Sequence, residues 1–243
     1  MEPEYARRYH ELYERHWWWR AREHLLLETL QRERPAHGWG SILDVGCGDG
    51  LLFDRLAELG DVEGVEADAS IVNPDGKHRA RIHVQPFDST FQPGKRYSLI
   101  LMLDVLEHLR DPLAALRLAV QLLEADGVLV VTVPAFPLLW TTHDVLNHHF
   151  TRYTTRSFLP LARAAGLRVD SAAYFFHWVF PAKLVQRLSE AVAHPSPASP
   201  RLPPRWINTM LYRLSRLEQR LLGWMALPFG SSLLVVGRRA SRN

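Results

Sequence analysis

The sequence predicts an α/β fold in which helices cover both faces of a mostly parallel sheet. Three observations lead to this prediction: short apolar segments alternate with helical ones, a glycine-rich turn follows the first apolar segment, and residues 98–103 are nearly all apolar. A strand without polar alternation is buried on both faces, as the strands of parallel sheets are. Regular alternation of strands and helices is typical of sheets covered in this way.

Each element follows from its local pattern. Residues 4–34 are rich in Glu and Arg and predict a helix, which ends at the prolines and glycines of 35–40. Gly60 and Gly166 are placed to end two later helices, and Asp111 is placed to cap a third. The predicted strands cover residues 41–45, 62–65, 81–84, 98–103, 127–133, 167–175 and 231–238. The predicted helices between them cover residues 51–59, 112–123 and 155–165.

The alternation is interrupted between residues 180 and 228. Two amphipathic helices are predicted there, over 182–193 and 205–226, and the proline-rich residues 194–204 predict an irregular linker. We interpret 180–228 as a helical insertion before the last strand, 229–239. The chain, residues 1–243, is expected to form a single domain with a helical cover at 1–34 and a ligand-binding core at 41–176.

Composition narrows the class of protein. A chain of 243 residues with 47% hydrophobic residues can bury the core of one large domain. The formal charge of +3 and the absence of a Lys/Arg run predict no nucleic-acid partner. Cys47 is the one cysteine, so an intramolecular disulfide is excluded and a reducing, cytoplasmic location is expected. A signal-peptide pattern and the roughly 18 uninterrupted apolar residues of a membrane span are both missing.

A glycine-rich turn, residues 44–50, lies where the first strand passes into a helix. Glycines at Gly46, Gly48 and Gly50 let the backbone turn sharply and let a ligand approach the main chain. The helix that follows offers free N–H groups at its start. Glycines also serve turns that bind nothing, so the turn by itself leaves a structural role open.

Acidic residues follow successive strands at the same edge of the predicted sheet. Asp44 and Asp49 flank the glycine turn, Glu66 ends the second strand, and Phe87-Asp88 follow the third. An acid at the end of the second strand can accept both hydrogen bonds of a ribose diol. Alternative interpretations are Asp49 as a helix cap, Asp88 as a turn residue and Glu66 as a solvated side chain. The shared edge favours a ligand, because this is where α/β sheets bind them.

Three motifs together resemble the class I S-adenosylmethionine (SAM)-dependent methyltransferase family: residues 43–50, 64–66 and 104–112. The resemblance spans about residues 41–133. It implies a Rossmann-like, doubly wound sheet of seven strands in the order 3-2-1-4-5-7-6, with the last strand antiparallel. It also implies that Asp44 lies near the amino group of SAM, Glu66 near the ribose and Asp88 near the adenine. The full set of implied cofactor residues is Asp44, Gly46, Cys47, Gly48, Asp49, Glu66, Ala67, Phe87, Asp88, Leu103, Asp104 and His108.

A hydride-transferring dinucleotide enzyme is the competing interpretation of the glycine turn. Its fingerprint requires Gly-x-Gly-x-x-Gly, and Leu51 occupies the last of those positions here. Asp44 would repel a pyrophosphate, whereas the ammonium and sulfonium of SAM are attracted to a carboxylate. Charge therefore favours SAM over NAD.

Two further stretches resemble type 11 and type 12 methyltransferases. Residues 16–22 contain Trp-Trp-Trp-Arg in the helical cover, where the tryptophans either cover the cofactor or pack the helix against the core. Residues 133–153 follow the fifth strand and gather histidines with charged residues. The predicted catalytic residues are His149, His108, Asp144, Arg152 and Tyr153.

Loss of a proton accompanies methylation of a hydroxyl or amine, and a histidine near neutral pH suits that task. His149 is the first candidate for the base and His108 the second. The alternative is that His149 bonds to Asp144 and only shapes the loop. The spacing of the histidines matches no simple ligand rule, so no metal is expected.

The acceptor is expected to be a small molecule or lipid-like, methylated at O, N or C. Residues 205–226 form a basic amphipathic helix that either contacts a membrane surface or covers the core. A catalytically silent scaffold that binds a partner is the competing function. After the fourth strand the chain reads Asp-Val-Leu-Glu at 104–107, not the Asn-Pro-Pro-Tyr type of motif typical of amino-group methylation. The sequence leaves the oligomeric state open.

Overall fold

The architecture is that of a twisted sheet between two helical layers. A computed structural model describes residues 10–193, 201–223, 225 and 227–240. The seven strands are β1 Ser41–Val45, β2 Asp61–Glu66, β3 Ile82–Val84, β4 Tyr97–Leu103, β5 Leu123–Pro134, β6 Leu167–Phe175 and β7 Ser232–Arg239. Their order is β3-β2-β1-β4-β5-β7-β6, with β7 antiparallel to both neighbours and the first five strands parallel. The strand order and the antiparallel last strand confirm the predicted fold class.

The helices are α1 Trp17–Glu33, α2 Phe53–Leu56, α3 Pro112–Leu122, α4 Thr142–Leu146, α5 Thr155–Ala164, α6 Val179–Ala193 and α7 Arg205–Leu222. The single helix predicted over 4–34 is wrong in one respect, because residues 10–15 form a separate helical segment before α1. His16 has extended backbone angles, and its Nδ1 accepts the N–H of Trp18 at 3.2 Å. The side chain thus starts a new helix at that point. Residues 1–9 lie outside the described part.

Apolar side chains cover the sheet on both faces. On one face Ile100 and Val131 pack with Leu116 of α3 and Phe158 of α5. On the other face the neighbouring residues of the same strands pack with Leu26 of α1 and with α2. The first six residues of β4 are all buried, as its continuous apolar sequence predicted. Both faces of the sheet are therefore covered, and a ligand can reach the sheet only at the ends of its strands.

The interval before β7 is helical, as expected, and packs on α1. Arg216 of α7 pairs with Glu28 at 2.6 Å, and Gln219 donates to the carbonyl of Ala21 at 3.0 Å. Helix α7 ends at Leu222, earlier than the 226 predicted. Of the residues predicted to form an irregular linker, 194–200 lie outside the described part of the chain, and 201–204 form neither helix nor strand. In the described part of the chain, no helix combines the length and apolar character needed to cross a membrane.

Candidate functional site

A cavity of about 2080 Å³ opens at the carboxyl ends of β1, β2 and β4. Ligand pockets that hold one small molecule measure about 300–1,000 Å³, so this cavity has room for two ligands. All of the predicted cofactor residues line it: Asp44, Gly46, Cys47, Gly48, Asp49, Glu66, Ala67, Phe87, Asp88, Leu103, Asp104 and His108. Of the predicted catalytic residues, His149, His108 and Arg152 line it as well.

The glycine turn has the backbone shape that only glycine adopts without strain. Gly46 and Gly48 have φ angles of +72° and +56°. A Cβ added to Gly46 would lie 2.7 Å from the Cγ2 of Val105, whereas a Cβ on Gly48 would meet nothing within 4 Å. The main chain at Gly48 therefore faces open space in the cavity. The thiol of Cys47 packs against Gly64, and burial raises the pKa of Cys47 so that it stays protonated.

Glu66 is fixed by main-chain hydrogen bonds. Its side chain is buried, and its Oε2 and Oε1 accept the N–H groups of Gly48 at 3.0 Å and Asp68 at 2.9 Å. The interpretation of Glu66 as a solvated side chain is therefore wrong. Each oxygen retains a lone pair for a further donor, so the carboxylate is prepared to accept a diol.

Two further acids at this edge of the sheet, Asp49 and Asp88, hold loops in place. Asp49 accepts the N–H of Asn73 at 2.8 Å and holds the segment after β2 against the glycine turn. Asp88 is exposed and accepts the N–H and hydroxyl of Thr90 at 2.8 and 2.7 Å, as a turn residue does. These bonds lower the pKa of Asp88. Phe87 is half-buried, 5.6 Å from the ring of Phe91.

Asp44 and Asp104 are linked to Arg22, which reaches the cavity from α1. Burial raises the pKa of Asp44 to about 7, although Arg22 opposes this shift. Arg22 pairs with Asp104 at 2.7 Å and donates to Thr132 at 3.0 Å. Asp104 has a φ of +56°, an uncommon backbone conformation that is typical of functional sites. Arg22 lies at the end of the stretch 16–22 and was not among the residues predicted for the site.

A buried charge network stands behind His149. Asp144 is fully buried and accepts two hydrogen bonds from Arg152, at 2.8 and 2.9 Å, and one from Nδ1 of His149 at 2.9 Å. The N–H of Thr141 adds a fourth bond at 2.8 Å. Burial alone would raise the pKa of Asp144, but these partners hold it well below its usual range. An ionised Asp144 keeps a proton on Nδ1 of His149 and directs Nε2 away from itself.

Tyr153 lies behind the cavity wall. Its hydroxyl donates to the carbonyl of Leu106 at 3.1 Å, and burial raises its pKa. The N–H of Phe150 likewise bonds to the carbonyl of Glu107, at 2.7 Å. The histidine loop and the segment after β4 are thereby fastened together, which supports a positioning role for Tyr153.

Glu107 was not predicted as a site residue from the sequence, yet it is an unusual group, a buried carboxylate in the cavity wall. The side chain is 1% exposed, and neither carboxylate oxygen has a hydrogen-bond partner among the described residues. Burial, and then the charge of Asp104, raises the pKa of Glu107 well above its usual range. Neighbouring His108 has its pKa lowered to about 4 by burial and by His149, whose ring centroid is 4.7 Å away. In the sequence, the position of Glu107 next to His108 in the stretch 104–112 was the signal that could have identified it as a site residue.

Glu107, His108 and His149 each place one ligand atom within 4.8 Å of the others. Such a set of one carboxylate and two imidazoles could hold a divalent cation. Spacing along the sequence does not reveal this grouping, because His149 comes from a different loop from Glu107 and His108. The expectation of no metal stays a prediction.

Aromatic rings form the wall between α1 and the segment that joins β6 to α6. The ring centroids of Trp17 and Trp178 are 5.2 Å apart, and those of Trp18 and Phe176 are 5.8 Å apart. Trp17, Trp18 and Trp178 also line the cavity. The tryptophans thus pack the helix and border the site at once, so the two interpretations of this stretch were not exclusive.

Comparison with known proteins places this geometry in a family. Residues 18–172 match the family described as methyltransferase domain. A ubiquinone biosynthesis O-methyltransferase of Ruegeria pomeroyi is 35% identical over 173 residues, which cover 61% of this chain and 68% of the relative. A protein of the same name from Cereibacter sphaeroides is 37% identical over 100 residues, and there the chain spans 39% of the relative's length.

Solved structures share the fold at low identity. A chain from the complex between the Haloferax volcanii Trm112 methyltransferase activator and a methyltransferase has a TM-score of 0.60 and 19% identity, over 98% of this chain and 96% of that one. A SAM-dependent methyltransferase of Archaeoglobus fulgidus has a TM-score of 0.56 and 15% identity, over 89% and 94% of the two chains.

Proposed function

This chain belongs to the family of methyltransferase domains and is a SAM-dependent methyltransferase, and we propose that it methylates an oxygen atom of a small or lipid-like acceptor. One observation carries the proposal: a single cavity contains both the glycine turn with its carboxylates and the histidine loop. The relatives named ubiquinone biosynthesis O-methyltransferase support oxygen over nitrogen or carbon as the acceptor atom.

The charges of the residues at the cofactor end support a role for each of them in binding SAM. Asp44 suits the ammonium of the methionine portion of SAM, and Arg22 suits its carboxylate. Glu66, with a lone pair left on each oxygen, suits the two ribose hydroxyls. Phe87 offers an apolar ring to the adenine, and Oδ2 of Asp88 is the oxygen proposed for the adenine amino group, because Thr90 takes Oδ1.

The shape of the cavity beside the glycine turn also supports a bound SAM. The main chain at Gly48 borders open space, so a ligand can lie directly against it. The backbone from Gly46 to Gly48 is proposed to face the methionine portion, with Ala67 and Leu103 as apolar neighbours along the cavity.

His149 is the proposed base at the acceptor end. SAM, when bound, supplies a methyl group on a sulfonium, which is an activated leaving group. Nε2 of His149 would take the proton that the acceptor hydroxyl loses when its oxygen bonds to the methyl carbon and the methyl–sulfur bond breaks, which leaves a neutral thioether. Asp144 holds the Nδ1 proton and stabilises the imidazolium that forms, while Arg152 keeps Asp144 in place. His108 is the alternative base, and it is neutral at pH 7, but burial lowers its pKa to about 4 and makes it the weaker base of the two candidates on this ground.

Calorimetry and product release test this proposal in sequence. We expect SAM and S-adenosylhomocysteine (SAH) to bind and NAD not to bind. A panel of phenols and quinols, with and without an alkyl tail, should then include an acceptor that gives SAH. Binding of NAD without binding of SAM or SAH would overturn the cofactor assignment.

The outer face of α7 supports a second proposal, contact with an anionic membrane surface. We define the α7 stripe as the exposed apolar residues Trp206, Met210, Leu214, Leu217 and Leu221, which are 41–70% exposed. The exposed charged residues on the described part of the insertion are all arginines: Arg187, Arg201, Arg205, Arg213 and Arg220. Apolar area flanked by cations is the composition that binds anionic lipid.

Vesicle co-sedimentation separates this contact from a helix that only covers the core. The double variant W206S/L217S should bind phosphatidylglycerol vesicles less than the native chain, and salt should weaken the binding of both. Leu159→Ser, which removes an exposed leucine on α5, is the matched control and should bind as the native chain does. Equal binding by all three proteins would contradict the proposal.

The sequence also left a catalytically silent scaffold as an alternative, and the family match and the relatives named O-methyltransferase support an enzyme instead. Assays of SAH release and of partner binding on the full chain distinguish the two. Release of SAH with a defined acceptor by the full chain excludes the scaffold. Retention of a partner without any SAH release would support it.

A further inference from the structure

Helix α6 turns a face that carries one lysine toward the cavity and exposes three large apolar side chains to solvent. Val179, Ala182, Lys183 and Gln186 line the cavity, at the i, i+3, i+4, i+7 spacing of one helix face. Val185, Leu188 and Val192 on the other side are 66%, 61% and 84% exposed. A helix that only covered a core would have these faces reversed, so the inward lysine calls for a separate explanation.

The charged and titratable groups that act on Lys183 are already occupied elsewhere. They are His143, Asp144 and Arg152 on facing elements, and Glu190 on α6 itself. Asp144 is used by Arg152 and His149, and Glu190 accepts the N–H of Thr142 at 2.8 Å and the amide of Gln186 at 2.7 Å.

Among the described residues, no carboxylate oxygen comes within 4.0 Å of the Lys183 ammonium. Burial, followed by the charge of Arg152, lowers the pKa of Lys183 to about 8, so the ammonium is still charged at pH 7. Lys183 is half-buried in the cavity wall, and a partly desolvated charge without a counterion is unfavourable. The site therefore lacks one negative charge at its acceptor end.

We propose that Lys183 binds a carboxylate of the methyl acceptor, and that the acceptor is an aromatic hydroxy acid. The inference rests on the proposed function, and it names the substrate class. Trp18 and Trp178 on the cavity wall suit an aromatic ring. One ammonium balances one carboxylate, whereas a phosphate monoester carries about −1.5 to −2 charges and requires more donors.

Binding to the SAH-loaded protein tests this class without knowledge of the natural acceptor. The probes are 3,4-dihydroxybenzoate and its neutral analogue 3,4-dihydroxybenzamide, measured by calorimetry at pH 7. We expect the benzoate to bind at least about tenfold more tightly than the amide, the scale of one charged hydrogen bond. Lys183→Met should abolish this difference while SAH affinity stays unchanged.

Arg187→Met is the matched control, since it removes an exposed cation one turn along the same helix. It should leave the preference for the benzoate intact, which excludes a general effect of net charge. Thermal melts of both variants check that each is folded.

A pH series gives a readout that a merely structural lysine would not change. Because the pKa of Lys183 is about 8, benzoate affinity of the native chain should fall between pH 7 and pH 9. Lys183→Arg should flatten this fall, because a guanidinium stays charged. Equal affinity for the two probes, binding of neither, or equal loss in Arg187→Met would overturn the inference. Failure of SAH itself to bind would instead overturn the proposed function.

Discussion

The two ends of the cavity are built in different ways. At the cofactor end, consecutive strand ends supply the groups, and the main chain fixes them, as Gly48 and Asp68 fix Glu66. At the acceptor end, side chains hold one another, as Arg152 and His149 hold Asp144. The cofactor end therefore follows from the fold, whereas the acceptor end depends on individual side chains. Substitutions at one end should leave the other end working.

The largest effect is expected from Asp144→Asn. The change leaves Arg152 buried beside a neutral amide, and breaking such a pair lowers the free energy of unfolding by about 3–5 kcal/mol. Urea denaturation measures this loss. Arg168→Gln, which removes a largely exposed partner of Asp170, is the control and should cost less than about 1 kcal/mol. SAH affinity that falls together with stability would show that the ends are not independent.

His149→Gln removes the proposed base but keeps a side chain of similar size. We expect kcat to fall by about 10²–10⁴-fold, the usual contribution of general base catalysis. Affinity for SAM should not change, which calorimetry checks. If His108→Gln abolishes activity while His149→Gln does not, the base is His108 and His149 shapes the loop.

The pH dependence of SAM binding examines the cofactor end. Burial raises the pKa of Asp44 to about 7, so this carboxyl is mostly neutral at pH 6 and ionised at pH 8. The ammonium of SAM favours the ionised form, and affinity should rise by up to about tenfold over this interval. Asp44→Asn should remove the rise.

Stability without cofactor should change in the opposite sense. Because the folded-state pKa of Asp44 lies above its usual value, its stabilising contribution is present in acid and is lost as pH rises through about 7. Asp44→Asn should therefore gain stability relative to the native chain above pH 7. An equal difference in unfolding free energy at pH 5 and pH 8 would contradict this assignment.

The smallest effect is expected in the glycine turn. Gly48→Ala has space for its Cβ and loses only about 1–2 kcal/mol through its positive φ. Gly46→Ala should lose more, because its Cβ would lie 2.7 Å from Val105. Adding Val105→Ala should recover part of the second loss, and unfolding in urea measures all three variants. Equal losses for the two glycines would contradict the contact.

The sequence predicted features whose cause is local or periodic. The apolar run of β4, the glycines at 46 and 48, and the acid at the end of β2 all lie where expected. It failed where a local contact overrode the pattern. His16 interrupts the first helix by capping the second, a signal that the Glu- and Arg-rich composition concealed.

The sequence by itself determined two things. The strand order followed from the family resemblance. The cofactor end followed from hydrophobic periodicity and glycine positions, which are encoded residue by residue. The tertiary structure alone brought Arg22 to Asp104, left the Glu107 carboxylate without a hydrogen-bond partner in the described part of the chain, and turned Lys183 toward the cavity. These residues are separated along the chain by helices and strands. Their charges acquire meaning only when burial lowers the local dielectric and brings them close enough to interact.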